Sequence, residues 1–275
     1  MLTNNGQYLL GSFFRHTSEN YRGVVLFCHE LNGNRYGVSP YLDSILSAGF
    51  DLLTFDFRGH GDSQHGNVDQ ITPRVTVDNM EDVQTAIDWL RSRFGETCNR
   101  NLFGMGKGAT IALCAAGNDT RVASVVLDGA SPEGRLFSKT CWGALVRCTR
   151  TLVQTGSPRV MVLLMSAIGA TILAPFRRMT LAWHRLVLSF WCNCRFVNTW
   201  ALVQRVTQPI LIVHGHKDSK IRADQINAFR NRMRQRPEVW FVPSQVMMYD
   251  PSTAHDLCCK RVVKFLENTG GKTRQ

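Results

Sequence analysis

Alternating glycines stand where a short strand pattern at 101–105 meets a helical pattern at 107–116. They are Gly104, Gly106 and Gly108. Backbone amides at such a turn could hold an anion, because the N-terminus of a helix favours negative charge. The dinucleotide fingerprint G-x-G-x-x-G and the phosphate loop G-x-x-x-x-G-K-[ST] both require other spacings. A nucleotide site is therefore not predicted here.

Two other residues have side chains suited to proton transfer. Asp218 ends the segment HGHKD, which follows an apolar run at 209–214, and His255 lies near the start of the last predicted helix. A carboxylate that orients a histidine can support acid–base chemistry. The simpler interpretations are that Asp218 caps a loop and that His255 packs beside Cys258 and Cys259.

Short apolar runs alternate with amphipathic helical runs along most of the chain. This order predicts an α/β fold with a mostly parallel sheet and helices on both faces. Strands are predicted at 23–28, 51–56, 101–105, 121–128, 209–214 and 239–242. Helices are predicted at 39–48, 75–93, 107–116 and 222–234, with a last helix that has Asp250 as its N-cap, Pro251 at its first position and an end near 267.

Two motifs give the chain a family resemblance. The segment HELNGN at 29–34 follows the first buried strand, and FDFRGHGDS stands at 55–63. They are similar to the H-G-x-x-G-N oxyanion loop and the F-D-x-R-G-x-G-x-S turn of the α/β-hydrolase family, and they look closest to its serine aminopeptidase and monoglyceride lipase branch. The resemblance covers about residues 7–267 and implies the α/β-hydrolase fold with an inserted helical lid.

In that family the turn at 104–108 reads G-x-S-x-G, with the nucleophilic serine exposed at its tip. Here Gly106 takes the place of the serine. Glycine has no side chain, so no acyl-enzyme can form at this position. The resemblance places the former oxyanion hole at the amides of Leu31 and Lys107, where weak anion binding is the remaining alternative.

The resemblance also assigns the other triad positions. Asp218 matches the position of the acid. The base usually follows a pattern like W-x-V-P-x-x-x-H, and the sequence from Trp240 runs WFVPSQVM, so that Met247 stands where the histidine belongs. His255, eight residues later, is the alternative base if a longer loop brings it to the site.

The segment 131–206 interrupts the alternation and is predicted to be a helical lid rich in Arg and Trp, between core parts at 1–130 and 207–275. From Glu133 to Asp218 the sequence has no intervening acidic residue, yet it carries eleven Lys and Arg residues. The uncharged run 160–176 is short for a membrane span, which needs about 20 apolar residues. It is interpreted as a lid helix that covers the former substrate pocket, and the alternatives are a helix in the membrane interface and a transmembrane helix.

The remaining composition limits the classes of function. The start of the chain lacks a basic segment followed by an apolar run, so no signal peptide is predicted and the nine cysteines are expected in a reducing, cytoplasmic compartment. The motif His214-x-His216 is weak as a metal site, so neither a metal nor a cofactor is expected. The net charge of +11 comes without a nucleic-acid-binding motif, so no nucleic acid partner is expected.

The sequence thus favours a non-catalytic member of the family that binds a small apolar or acyl ligand, or an anionic membrane surface as a peripheral protein. One alternative is an active ester or amide hydrolase with a non-standard nucleophile, for which Cys28, Ser63 and Thr110 are the candidates. Another is non-hydrolytic chemistry by Asp218 and His255.

Overall fold

The computed structural model describes residues 1–3, 6–63, 75–130, 197–215, 221, 223–242 and 253–270. The chain divides into two compact units, one formed by 1–132 with 198–275 and the other by 133–197. Nearly all of the predicted lid, including the run 160–176, lies outside the described residues. The helices and strands of the described residues all belong to the first unit.

A seven-stranded sheet in the described part of the chain organises this unit, with the strand order β1-β3-β2-β4-β5-β6-β7. β1 pairs antiparallel with β3, and all the other neighbours are parallel. The predicted α/β architecture is confirmed. The strands are β1 Gly11–Phe14, β2 Gly23–Cys28, β3 Phe50–Phe55, β4 Arg100–Met105, β5 Val122–Asp128, β6 Ile210–Gly215 and β7 Glu238–Val242.

Helices follow most of the parallel strands. A 3-10 helix at Arg35–Tyr41 leads directly into the first α-helix, where the sequence predicted one continuous helix at 39–48. Pro40 lies inside the 3-10 segment, and proline cannot donate the backbone bond that a longer α-helix would require. The α-helices are α1 Leu42–Ser47, α2 Val77–Phe94, α3 Lys107–Asn118, α4 Thr199–Val203, α5 Ala223–Arg232 and α6 Thr253–Gly270.

Several boundaries differ from the sequence-based prediction. Thr76 caps α2 through a reciprocal capping box with Asn79, so the helix starts after Thr76 and not at 75. The described part of α6 begins at Thr253, and the predicted cap at Asp250 and Pro251 lies outside the described residues. α4 belongs to the larger unit, although the sequence assigned its residues to the lid.

The central strands explain why the sequence has long apolar runs without alternation. Every residue of β2, β3 and β4 is buried, because helices cover both faces of the sheet. The core includes Phe27 and Phe103, whose rings meet edge to face with centroids 5.6 Å apart. This core fixes the central strands that carry the candidate site.

The register of these strands brings their carboxyl ends to one edge of the sheet. Cys28 is opposite Gly104, and Met105 is opposite Asp128. The loops that follow β2, β4 and β5 therefore meet there. In open parallel sheets this edge is where ligands bind.

The motif at 55–63 supports this edge through buried ion pairs. Asp56 accepts hydrogen bonds from the backbone of Arg35 at 2.6 Å and of Asp62 at 3.0 Å, and the Arg35 guanidinium pairs with it. Arg58 donates from Nε to Asp82 of α2 at 2.7 Å. Since all of these groups except Asp62 are buried, the motif serves to hold the loop after β3 on α2 and on the 3-10 helix.

Candidate functional site

Gly106 forms the sharp turn between β4 and α3. Its backbone has φ +54° and ψ −116°, and it is the N-cap residue of α3. A residue with a Cβ is strained at this positive φ, whereas glycine adopts it freely. The Gly106 amide donates to the carbonyl of Asp128 at 2.8 Å, which ties the turn to the end of β5. The strand-turn-helix geometry of a nucleophile elbow is therefore present around a residue that has no side chain.

Gly108 allows the helix to approach the sheet at this point. A Cβ on Gly108 would lie 2.1 Å from the carbonyl oxygen of Cys28, a distance that no real Cβ atom reaches. The first turn of α3 is therefore seated directly on the end of β2. The alternating glycines of the sequence serve the turn and this contact.

Glu30 lies over Gly106. A Cβ built on Gly106 would be 3.2 Å from the Cβ of Glu30 and 3.9 Å from its Oε2. Glu30 is exposed, so its carboxylate is solvated at the mouth of the site. Sequence reasoning gave no role to Glu30. The available signal was that Glu30 occupies the second position of HELNGN, where the family pattern H-G-x-x-G-N has glycine.

His29 fixes the loop that carries Glu30. Its Nε2 accepts from the backbone amide of Phe57 at 3.1 Å, so the proton must be on Nδ1, which donates to the carbonyl of Glu30 at 2.7 Å. Burial lowers the pKa of His29 to about 4. This histidine is therefore a neutral structural group that holds the loop after β2 on the loop after β3.

The two residues predicted for the oxyanion hole follow neighbouring strands of the sheet. Lys107 follows Gly106 directly as the first residue of α3, and Leu31 is in the loop after β2, the neighbour of β4. The carbonyl of Leu31 accepts a hydrogen bond from Nε2 of His60 at 2.7 Å. The backbone of that loop is thus anchored to the loop after β3.

Asp218 and Met247 lie outside the described residues. The described residues before Asp218 end with β6 at Gly215, and the buried Nε2 of His214 on that strand donates to the carbonyl of Ile221 at 2.8 Å. Its partner here is a backbone carbonyl. No cluster of three or more His, Cys, Asp or Glu side chains that could hold a metal ion occurs among the described residues.

His255 lies at the start of α6 and faces the 3-10 helix. Its Nε2 lies 3.0 Å from the carbonyl oxygen of Pro40 and 3.6 Å from the Sγ of Cys259. Because a carbonyl can only accept, Nε2 carries the proton. The ring also packs on Tyr41, with centroids 5.9 Å apart. These contacts are those of a packed helix residue, the simpler of the two interpretations from the sequence.

A short series of contacts nevertheless connects His255 to the elbow. Tyr41, its ring neighbour, donates from its hydroxyl to Oδ2 of Asp128 at 3.2 Å. The backbone carbonyl of Asp128 accepts the Gly106 amide. Tyr41 and Asp128 therefore form the layer beneath the turn, and His255 supports that layer.

The three alternative nucleophiles, Cys28, Ser63 and Thr110, are buried or half-buried. Cys28 is fully buried, and burial raises the pKa of its thiol far above the ordinary value. Ser63 is 2% exposed, and its Oγ accepts the amide of Leu10 at 2.8 Å. Thr110 is half-buried in the first turn of α3. Neither Cys28 nor Ser63 is presented to a substrate in this geometry.

Among the described residues, no helix is long and apolar enough to cross a membrane.

Comparison with known proteins gives one family and several structural relatives. Residues 23–167 match the family model described as the alpha/beta hydrolase fold. The chain is 30% identical over 118 residues to the quorum-quenching protein AidA of Acinetobacter baumannii and 29% identical over 116 residues to an uncharacterized 31.7 kDa protein of Escherichia coli encoded between traX and finO. These matches cover 41% and 40% of the chain and 37% and 38% of the relatives. The chain thus spans well under half the length of the curated relatives it matches.

Solved structures resemble the whole chain. The esterase Pf2001 of Pyrococcus furiosus superposes with a TM-score of 0.66 at 17% identity, covering 98% of this chain and 89% of the esterase. The esterase EaEST of Exiguobacterium antarcticum gives a TM-score of 0.65 at 15% identity, covering 96% and 97% of the two chains. At this level of identity the likeness establishes the fold.

Proposed function

The chain belongs to the α/β-hydrolase fold family, and from that premise we propose that it is a non-catalytic member that binds a lipid-like or acyl ligand. Its fold places it among hydrolases, and the residues at the elbow distinguish it from them. The proposal also assigns the chain to the serine aminopeptidase and monoglyceride lipase branch, on the motifs at 29–34 and 55–63.

Gly106 is the observation that carries this proposal. The turn keeps the backbone geometry that presents a nucleophile, yet the residue at its tip has no atom that could attack a carbonyl. The nucleophile and base of a triad act as a unit, so the loss of the nucleophile removes most of the chemistry.

Glu30 supports the same conclusion on electrostatic grounds. Acyl transfer develops negative charge on the substrate oxygen, and hydrolases direct hydrogen-bond donors at that oxygen. A carboxylate within 3.9 Å of the nucleophile position adds a negative charge beside the developing one. This arrangement opposes the transition state of ester hydrolysis.

We assign the remaining triad positions as the sequence predicts them. Asp218 takes the acid position without a catalytic partner, and Met247 replaces the base. His255 is the alternative base, and its contact with the carbonyl of Pro40 holds it in place on α6. The amides of Leu31 and Lys107 remain as a weak site for a polar ligand group.

The lid at 131–206 extends the proposal. Its basic and apolar composition suits a cover over an apolar pocket and a peripheral contact with anionic lipid. We therefore place the protein in the cytoplasm, in part at a membrane surface.

The second candidate function is hydrolysis of an ester or amide bond. The names of two structural relatives, both esterases, and of the quorum-quenching relative favour it. It requires a nucleophile other than residue 106.

Labelling with a fluorophosphonate probe separates the two functions. We expect no label and no hydrolysis of short p-nitrophenyl esters above the buffer rate, whereas an intact esterase treated in parallel is labelled. The purified protein should still bind a fluorescent fatty-acyl analogue in a saturable way. Stoichiometric labelling of one serine or cysteine, with ester turnover, would establish the hydrolase instead.

A further inference from the structure

A polar cavity lies at the edge of the sheet opposite to Gly106. It has a volume of about 270 Å³ and is bounded by Pro209 and Ile210 at the start of β6, by Glu238 at the start of β7, and by the end of α6. Gly106 follows the carboxyl end of β4, whereas this cavity is at the amino ends of parallel strands. The two places are therefore separate sites.

Positive charge dominates the lining. Arg236, Arg261 and Lys264 contribute three cations, and Glu238 contributes one acid, so three minus one leaves an excess of two positive charges. Glu238 pairs with Arg261 through Nη2. Arg236 and Lys264 are exposed at the rim. A dianion would match this excess.

The lining also supplies more hydrogen-bond donors than a carboxylate can use. The guanidinium of Arg261 carries further N–H groups besides the Nη2 that pairs with Glu238. Gln235 and Asn268 add side-chain amides that can donate to a ligand oxygen. A phosphoryl group has three acceptor oxygens and close to two negative charges at neutral pH, which fits cations arranged in this way.

We propose that this cavity binds the phosphoryl group of a ligand, independently of the site at Gly106. Arg236 and Lys264 are the principal charged contacts, and the guanidinium of Arg261, held by Glu238, adds a third positive charge to the lining. The cavity has room for a phosphoryl group and a small attached moiety. No covalent step is involved.

Calorimetric titration of the full chain with pyrophosphate at low salt tests the proposal. We expect saturable one-to-one binding that the double variant Arg236→Gln, Lys264→Gln weakens by about tenfold or more, because it removes two charge-assisted contacts. The control is Arg15→Gln with Arg91→Gln, which makes the same change in net charge at exposed positions outside the cavity. It should stay within about twofold of the wild type.

Further arms identify the source of the phosphoryl group and its specificity. Co-sedimentation with phosphatidylcholine vesicles, with and without phosphatidic acid, tests a lipid headgroup, and loss of that binding in the Arg236, Lys264 variant would assign the site to the lipid. Pyrophosphate binding with unchanged vesicle binding would assign it to a free phosphorylated molecule. Absence of saturable binding, equal weakening in the control variant, or equal competition by acetate would overturn the proposal. Thermal melting followed by circular dichroism checks that each variant is folded. We expect all of them to fold, because the substituted residues are exposed.

Discussion

The Cβ of Glu30 lies 3.2 Å from the point that a Cβ on Gly106 would occupy. The loop after β2 and the turn after β4 are thus fitted to each other with no side chain at 106. A serine at this position would meet the stem of Glu30 and place its hydroxyl beside a carboxylate. Restoration of the nucleophile therefore has both a steric and a catalytic obstacle.

The steric obstacle predicts a loss of stability in Gly106→Ser. The positive φ costs about 1 kcal/mol for a residue with a Cβ, and the contact with Glu30 adds to it. We expect a decrease of about 2 kcal/mol in the free energy of unfolding, measured by urea denaturation. Gly95→Ser is the matched control, since Gly95 has φ +75° and nothing within 4 Å of its Cβ position.

The comparison isolates the contact with Glu30. Gly95→Ser should lose only the part due to φ, and Glu30→Gly in the Gly106→Ser background should recover the remainder. Equal losses at 95 and 106, with no recovery, would show that Glu30 moves aside without cost.

Activity provides a separate prediction. Gly106→Ser alone should give little ester hydrolysis, because our proposal puts Met247, which cannot act as a base, at the position of the histidine. Gly106→Ser with Met247→His and Glu30→Gly should exceed each partial combination in p-nitrophenyl ester turnover. Robust turnover by Gly106→Ser alone, abolished by His255→Gln, would make His255 the working base and refute the assignment of Met247.

His29 makes stability depend on pH. Burial lowers its pKa from 6.5 to about 4, so the unfolded chain takes up a proton below 6.5 while the folded chain does not. The contribution of neutral His29 to the free energy of unfolding is complete above pH 6.5. It decreases as the pH falls towards 4, by up to about 3 kcal/mol in total. Urea unfolding at pH 4.5 and 7 should show this difference. His29→Gln should reduce it, and an unchanged difference would exclude His29 as the cause.

The buried ion pair between Arg58 and Asp82 predicts a large effect on stability. Arg58 is buried, and Asp82→Asn would remove its closest carboxylate while Glu81 remains at 3.0 Å. We expect a loss of about 3 kcal/mol in thermal or urea unfolding. Asp88→Asn on the same helix breaks a half-exposed pair with Arg121 and should cost under about 1 kcal/mol. Similar costs at 82 and 88 would contradict the buried role of Arg58.

The lid predicts binding to anionic vesicles. Each basic residue near an anionic surface contributes about 1 kcal/mol, and tryptophan burial adds an apolar contribution that salt does not screen. We expect co-sedimentation with anionic but not neutral vesicles, weakened but not abolished by salt. Charge reversal of Arg159, Arg177 and Arg178 should abolish it.

Charge reversal of three exposed residues outside the lid, Arg15, Arg91 and Arg230, is the control for net charge. It should retain most of the vesicle binding. Equal binding to neutral and anionic vesicles, or none to either, would leave the lid as a cover for the pocket.

The sequence predicted the elements whose apolar residues form a clear pattern, either a continuous run or a helical spacing. β2 reads as a continuous apolar run because both of its faces are covered, and the turn at Gly106 was predicted from the resemblance of GMGKG at 104–108 to the family's G-x-S-x-G motif. β1 was missed, because this four-residue edge strand is only partly buried and lacks both a buried run and a clear alternation.

The contact between Glu30 and Gly106 depends on strand order and not on either local sequence. β2 and β4 are neighbours only because β3 lies on the other side of β2, and no pattern within either loop expresses that arrangement. The hydrogen bond of His255 to Pro40 joins residues 215 positions apart, so its direction also required the tertiary structure.

The missing side chain of Gly108 also determines how the molecule can respond to a ligand. With 2.1 Å between the Cys28 carbonyl and the place of a Cβ, α3 and β2 are in direct backbone contact at this point. We therefore expect movement on binding to occur in the surrounding loops, while α3 and β2 keep their separation. Two spectroscopic labels on these elements would keep a constant separation through a ligand titration, while a third on the loop after β2 would report the change.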